Sequence, residues 1–315
     1  MNAKTPEFSY IYVHDLLDEL RRNPGNKRLQ GQVHALITAM ERDVYHPNFT
    51  PDERECPWKK WVTPNLQGSN IHNTIVLAVE PQFTNAPGSD PHPDDYKVLG
   101  MAVGNYDKVS HQGFYAYLAR DPQAPGGLGA ELFAHRQRAM DALAGQQQKQ
   151  IPLSFLECEH PLKRPVDGKM NRLKRLDTFR KWGAQIVDIN LSLPSLEKDG
   201  SLSFQKDYVL LAYVNEQALG VSKGDPRFAI RLQQCVISRM YQAYLRKGIT
   251  EPEHHPEFVQ MVRSMTSRGL SSDIQLLSKV YPAALEDAHH TRLPDAALAK
   301  QAPMLAERRL TALGR

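Results

Sequence analysis

The sequence predicts an α/β fold, a mixed α+β sheet flanked by helices, followed by an α-helical C-terminal extension. Three observations carry this. Short apolar runs of strand length alternate with helix-length stripes in the order helix, three strands, helix, strand, helix, two strands. A glycine-rich turn, Gly126-Gly127-Leu128-Gly129-Ala130, joins the third of those strands to a helix. Beyond Val214 the pattern becomes helical throughout, which divides the chain into 1–215 and 216–315.

Residues 27–45 repeat apolar positions at Leu29, Val33, Leu36, Ile37, Met40 and Val44, a helical stripe. Strands are expected at Ile75–Val79, Val98–Val103 and Phe114–Leu118, with a polar loop rich in Pro, Asp and Asn across Glu80–Tyr96. The helix after the glycine turn carries Leu132, Phe133, Met140 and Leu143 on one stripe, and Gly145 suits its C-terminal cap. A strand at Ile151–Cys158, a helix across Asn171–Trp182 stopped near Gly183, and strands at Ile186–Leu191 and Tyr208–Val214 follow. A doubly wound nucleotide-binding sheet would need more strand–helix alternation than this.

In the extension, Asp225-Pro226 reads as an N-cap with proline at the first helical position. Phe228, Leu232, Val236, Ile237, Met240, Tyr241, Tyr244 and Leu245 then run at helical spacing to Gly248. A second helix starts near Pro256 with Phe258, Met261, Val262 and Met265 and ends at Gly269, and shorter helical pieces are expected across Asp273–Leu313. Each has an apolar face that calls for a partner, either the core or a second copy of the chain in a homodimer.

The junction Leu118–Leu143 points toward chemistry. A strand–glycine turn–helix places unblocked amides and the positive end of a helix dipole at one spot, which favours a phosphate or pyrophosphate. A dinucleotide fingerprint fits badly, because its third glycine is absent and Gln146-Gln147-Gln148-Lys149 stands where its acidic residue belongs. A nucleotide P-loop fits no better, because Gly129 is followed by Ala130-Glu131 and not by Lys-Ser/Thr.

Composition narrows the class. Apolar content of 41% and charged content of 23% suit a soluble globular protein. Met1–Asp15 lacks the basic start and apolar run of a signal peptide, and no run approaches a membrane span, so a cytoplasmic location without membrane association is expected. Cys56, Cys158 and Cys235 lie far apart without metal spacing, and neither His254-His255 nor His289-His290 has ligand partners. No metal is expected. A net charge of +4 permits an anionic ligand and argues against a nucleic-acid surface.

The glycine turn is similar to the pyrophosphate loop of the GNAT superfamily of acyl-coenzyme A N-acyltransferases, whose members carry Arg/Gln-x-x-Gly-x-Gly/Ala directly after their fourth strand. Gly127-Leu128-Gly129 supplies the Gly-x-Gly half, while the Arg/Gln position falls on Ala124, one residue after Gln123. The order of elements resembles a GNAT domain over roughly residues 30–215. Bacterial members share likenesses of Leu156-Glu157-Cys158-Glu159-His160-Pro161 in their fifth strand and of Asp177–Ala184 at the end of their fourth helix. Tyr45, Phe49 and Glu53 resemble the segment that shapes the acceptor cleft.

The resemblance implies acyl transfer, in the simplest case acetyl from acetyl-coenzyme A, to the amine of a small molecule. It implies that the backbone near Tyr117, Leu118 and Arg120 holds the pantetheine. Gln123, Gly126, Gly127, Leu128, Gly129 and Ala130 would take the pyrophosphate, and Asn171 and Arg172 the adenosine-end phosphates. The tyrosine that protonates the leaving thiolate in many members aligns with Phe179, which has no proton to give. Glu157, Glu159 and His160 are the candidate catalytic groups, since the resemblance implies that the fifth strand splays from the fourth, as in a GNAT domain, and that its carboxyl end lines the acceptor cleft. Alternation sets Glu157 and Glu159 on one face and Cys158 with His160 on the other. Glu159 is the first choice as base, and Cys158 reads as a small buried residue. The basic run from Lys163 to Lys181 reads as a solvated helix face for most of its members. A competing class is a GNAT-like module that binds acyl-coenzyme A without turnover, or works through protein interaction; Phe179 and Ala124 keep it open.

Overall fold

The computed structural model describes residues 8–51, 53–81, 90–161, 170–187, 189–196, 201–206, 208–265 and 270–271. An unanticipated strand and helix, β1 (Ser9–Tyr12) and α1 (Val13–Arg22), precede the first expected helix, α2 (Lys27–Met40). Asn26 caps α2 by accepting the Leu29 amide at 3.0 Å. The helix continues through a π-helical turn, Glu41–Tyr45, and a second π-helical turn covers Trp58–Val62. Then come β2 (Ile71–Pro81), β3 (Tyr96–Asp107), β4 (Gln112–Arg120), α3 (Leu128–Gln146), β5 (Leu153–Glu159) and α4 (Arg172–Lys181). The three strands before α3 extend their expected runs, β5 begins two residues later than expected, and α4 lies one residue inside its expected span at each end.

The expected strand at Ile186–Leu191 is instead two short ones, β6 (Gln185–Val187) and β7 (Leu193–Leu196); β7 pairs with β8 (Leu202–Gln205) in a separate hairpin. β9 (Tyr208–Val214) closes the mixed region as expected, and α5 (Arg227–Leu245), α6 (Pro256–Arg263) and β10 (Leu270–Ser271) follow. The helix expected to reach Gly269 ends at Arg263, with Ser264 as its C-cap, and the pieces expected across Asp273–Leu313 lie outside the described residues. Gly145 does not cap α3. The amides of Gln148 and Lys149 close the helix onto Gly145 and Ala144, with Gln148 itself in the left-handed region at φ 56°.

The main sheet runs β1-β2-β3-β4-β5-β9-β6-β10, and β4–β5 is its parallel pair. α1, α2 and both π-helical turns pack on β2, β3 and β4 through Val33, Leu36, Ile37, Ile75, Leu77 and Val103. α5 and α6 pack on β5 and β9 through Phe155, Leu210, Leu232, Val236, Met240 and Phe258. Val103 and Asn105 share a face of β3, and Asn105 pairs with Phe114, so these two groups of helices cover two halves of one face. α3 and α4 cover the opposite face, over Ala102, Tyr106, Tyr115, Leu156 and Cys158. The extension thus shares the core and adds a strand to the sheet. Among the described residues no helix is long and apolar enough to cross a membrane.

Candidate active site

The register of β4 changes where β5 leaves it. Gly104 pairs with Tyr115 but Val103 pairs with Tyr117, so Ala116 is a bulged residue with no partner on β3. The extra residue reverses the alternation. Tyr115 faces α3, beside Phe133 and Tyr213, whereas Tyr117 faces α2, beside Tyr45, Phe49 and Trp61 at 5.2–5.5 Å between ring centroids. Gly104 is required here, since a Cβ would stand 2.9 Å from the Phe114 carbonyl. The parallel ladder holds only Gly113–Tyr115 against Ser154–Leu156. Beyond it β4 and β5 no longer pair, which leaves a notch between their carboxyl ends.

On the α3 side of the notch stands the glycine turn. Gly127 is the N-cap of α3 with φ 90°, in the left-handed region that glycine enters without strain. The amides of Gly126, Gly127 and Gly129 make no hydrogen bond among the described residues, and a Cβ at Gly126 or Gly127 would meet nothing within 4 Å. Leu128 is buried, whereas Ala130 is exposed at the first turn. Donors without acceptors, open approach and a 19-residue helix behind them fit a pyrophosphate.

The residues before the turn serve it. Arg120 donates to the Ala124 carbonyl at 2.8 Å and reaches those of Asp121 and Pro122, so its side chain braces the turn. Asp121 accepts the Gln123 amide at 2.8 Å, leaving the Gln123 side chain exposed. Ala124 is buried against Leu128, so a long side chain at that position would displace the packing beneath the turn. Leu118 packs toward α3, and the Tyr117 hydroxyl donates to the Glu53 carbonyl at 3.2 Å.

The three candidate catalytic groups do not share one environment. Glu159 is held by Arg172 at two points, 2.9 and 3.0 Å, with Arg175 at 3.5 Å, so the first choice as base is committed to an ion pair. The same pair occupies Arg172, and Asn171 spends its side-chain oxygen capping α4 on the amides of Leu173 and Lys174. Neither side chain is set aside for a phosphate. Glu157 sits partly buried between Phe155 and the strand end, on the face shared with Tyr117. Burial pushes its carboxyl up; Arg239 and Lys247 oppose that shift, and Glu55 adds to it. His160 follows β5 directly and is partly buried. Cys158 is buried toward α3 and α4, with its thiol pushed up to about 12, so it is a packing residue as expected.

Two arginines escaped sequence reasoning. Arg136 lies within the apolar stripe of α3, 1% exposed, and donates to the carbonyls of Val103 and Tyr117, the β3–β4 pair next to the bulge, at 3.2 and 2.9 Å. Arg239 lies within the stripe of α5, 7% exposed, over the Phe114 ring. A charged residue in phase with a buried stripe was the available signal.

No family model matches the chain, and no curated protein matches it. Solved structures are similar at low identity. A protein assigned to the GNAT family of acetyltransferases from Bacteroides thetaiotaomicron is 14% identical, with a TM-score of 0.33, over 74% of this chain and 97% of the other. An aminoglycoside 6'-N-acetyltransferase complexed with coenzyme A is 11% identical, with a TM-score of 0.30, over 66% and 96%. The PaiA N-acetyltransferase of Thermoplasma acidophilum, also in complex with coenzyme A, is 9% identical, with a TM-score of 0.29, over 66% and 99%.

Proposed function

We propose that this chain is an acyl-coenzyme A-dependent N-acyltransferase that moves an acyl group, in the simplest case acetyl, to the amine of a small molecule by direct attack. The observation that carries this reading is the break in the β4–β5 ladder after Tyr115 and Leu156. The glycine turn, as the anion cradle, then lies on one face of the sheet and the Glu157 carboxylate on the other, either side of this break. A thioester anchored by its pyrophosphate at Gly126–Ala130 can lay its pantetheine along the free edge of β4 and present its carbonyl in the notch.

The chemistry then falls to few groups. The amine nitrogen attacks the thioester carbonyl, and Glu157 takes the proton that the nitrogen loses, directly or through one water. Collapse of the tetrahedral adduct breaks the C–S bond and releases the thiolate. Phe179 offers no proton to it, so the thiolate leaves as the anion or takes a proton from solvent. Glu157 supersedes Glu159 in this role because Arg172 and Arg175 already hold Glu159. The cleft on the Glu157 side is bordered by Tyr117, Glu53 and Glu55, and acidic groups there suit an amine that arrives protonated.

A second reading, binding of acyl-coenzyme A without turnover, draws support from Phe179. Incubation with acetyl-coenzyme A and an amine panel separates the two. Free thiol rising in step with an acetylated amine is expected for the enzyme, and calorimetric binding without thiol release is expected for the sensor.

A further inference from the structure

We propose that Arg239 is a positioning residue for Glu157, so that the C-terminal helix α5 completes the site built by the sheet. This rests on the reading of Glu157 as the base. The stripe of α5 that packs on β5 and β9 is Phe228, Leu232, Val236, Met240 and Tyr244, and Arg239 sits among them, 7% exposed. Its guanidinium carbon lies 4.3 Å from the centre of the Phe114 ring, and its Nε has no hydrogen-bond partner. Phe114 pairs across the parallel ladder with Phe155, and Glu157 is the next residue of β5 on that face. A buried guanidinium is costly without an opposite charge nearby.

The charges around Glu157 come from four directions. From α5 and the turn after it come Arg239 and Lys247, with Arg246 acting on Arg239; from the segment before the second π-helical turn comes Glu55; from β3 comes Asp107, which acts on Arg239. On β5 itself Glu159 is spent on Arg172 and Arg175. Asp107 engages Arg246 at 3.4 Å and caps the turn after β3 by accepting the amides of Val109 and Ser110. Glu55 accepts from the Trp61 indole at 3.2 Å and repels Glu157. Arg239 is therefore the principal opposite charge acting on Glu157. The influence is mutual: burial and Arg246 bring the Arg239 guanidinium down to about 10, and Glu157 and Asp107 oppose that. A base in a partly apolar notch must still ionise near neutral pH, and a cation fixed by ring stacking meets that need without covering the carboxylate's open side.

The test follows the Glu157 carboxyl directly. Its ¹³C signal, assigned by its loss in Glu157→Gln, is titrated in the full chain and in Arg239→Met and Arg239→Lys. In Arg239→Met the Glu157 titration should move to higher pH by about one unit or more, and in Arg239→Lys it should stay near its original position. The acid limb of kcat/KM should move in the same order, while affinity for coenzyme A is unchanged. An unmoved Glu157 titration in Arg239→Met overturns the proposal, as does an acid limb that moves without it. Should Arg239→Met fail to fold, the unaltered chain still decides. The Arg239 Nε–H resonance should follow pH in step with Glu157 and lose that response in Glu157→Gln; a flat response overturns the proposal. If the unaltered chain releases no thiol while the Glu157 titration remains tied to Arg239, acyl transfer fails and the coupling stands.

Discussion

Arg136 and Arg239 approach β4 from opposite faces of the sheet and lie over consecutive rings, Arg136 at 4.2 Å from the centre of Tyr115 and Arg239 at 4.3 Å from that of Phe114. Both are buried, and both leave Nε without a partner. Phe114 and Tyr115 are also the last residues of β4 that pair with β5 before the notch opens. Stacking spreads each guanidinium over an aromatic face and offsets part of its burial cost. Arg136 further holds the paired carbonyls of Val103 and Tyr117 next to the bulge, so a buried side chain of α3 helps to set the shape of β4 where the notch begins.

Replacement of Arg136 by Met should destabilise the fold by about 1–3 kcal/mol, because two buried carbonyls lose their donor. Arg136→Lys should rescue in part, since both carbonyls accept from one nitrogen, Nη1, which an ammonium can imitate, whereas the flat guanidinium over Tyr115 is lost. Urea denaturation reads this directly. A midpoint within error of the parent in Arg136→Met would show that the bulge holds itself.

Gly126→Val tests the anion cradle with little risk to the fold. Gly126 has no positive φ, and a Cβ there meets nothing within 4 Å, whereas Gly127 at φ 90° would add about 1–2 kcal/mol of backbone strain for a β-carbon-bearing residue. The valine should keep the melting temperature and lose affinity for coenzyme A at least tenfold, read by calorimetry. Undiminished affinity in the folded variant removes the glycine turn from the cofactor site.

What the chain made legible was periodicity. The α3 stripe, the strand at Tyr208–Val214 and the carboxyl end of β5 could be read because apolar spacing reports a buried face directly. The notch could be placed between the fourth and fifth strands, but its cause could not, because a bulge at Ala116 leaves no mark in a run of Gly, Phe, Tyr, Ala and Tyr. The rank of Glu157 against Glu159 was hidden for another reason. Alternation puts both on one face, and only the tertiary arrival of α4 brings Arg172 onto one of them. β1 and α1 went unread although α1 buries Val13, Leu17 and Leu20 at helical spacing, because β1 runs into α1 at Tyr12–Val13 with no turn residue between them.

Stability should fall below neutral pH through a histidine pair far from the notch. His72 is 4% exposed and brought down to about 4, chiefly by burial, with Asp18 opposing and His14 adding to the shift; His14 is also lowered by its burial. The unfolded chain takes up protons near 6.5 while the folded chain resists, so stability is full above that value and lost as pH falls toward 4. The slope can reach about 1.4 kcal/mol per pH unit for one histidine. Unfolding free energies at pH 7.5, 6 and 5 should fall less steeply in His72→Gln than in the parent. Parallel profiles would show that His72 titrates normally.

The last prediction divides the two carboxylates of β5. Glu157→Gln should lower kcat by about a hundredfold to ten-thousandfold, the usual cost of removing a positioned base, with affinity for coenzyme A intact. It should also abolish the acid limb of the rate profile. The parent needs Glu157 ionised and loses rate as pH falls through its raised titration point, whereas the amide has no proton to take. Glu159→Gln should behave differently. The pair with Arg172 is largely buried, with side chains 6% and 14% exposed, and breaking such a pair by removing one charge costs about 3 kcal/mol. Its melting temperature should drop while kcat, measured well below that temperature, stays within a few-fold of the parent. If Glu159→Gln instead loses rate and Glu157→Gln does not, the ion pair opens during turnover and the base is Glu159. If neither loses rate, attack relies on proximity alone, and the notch works by holding amine and thioester together.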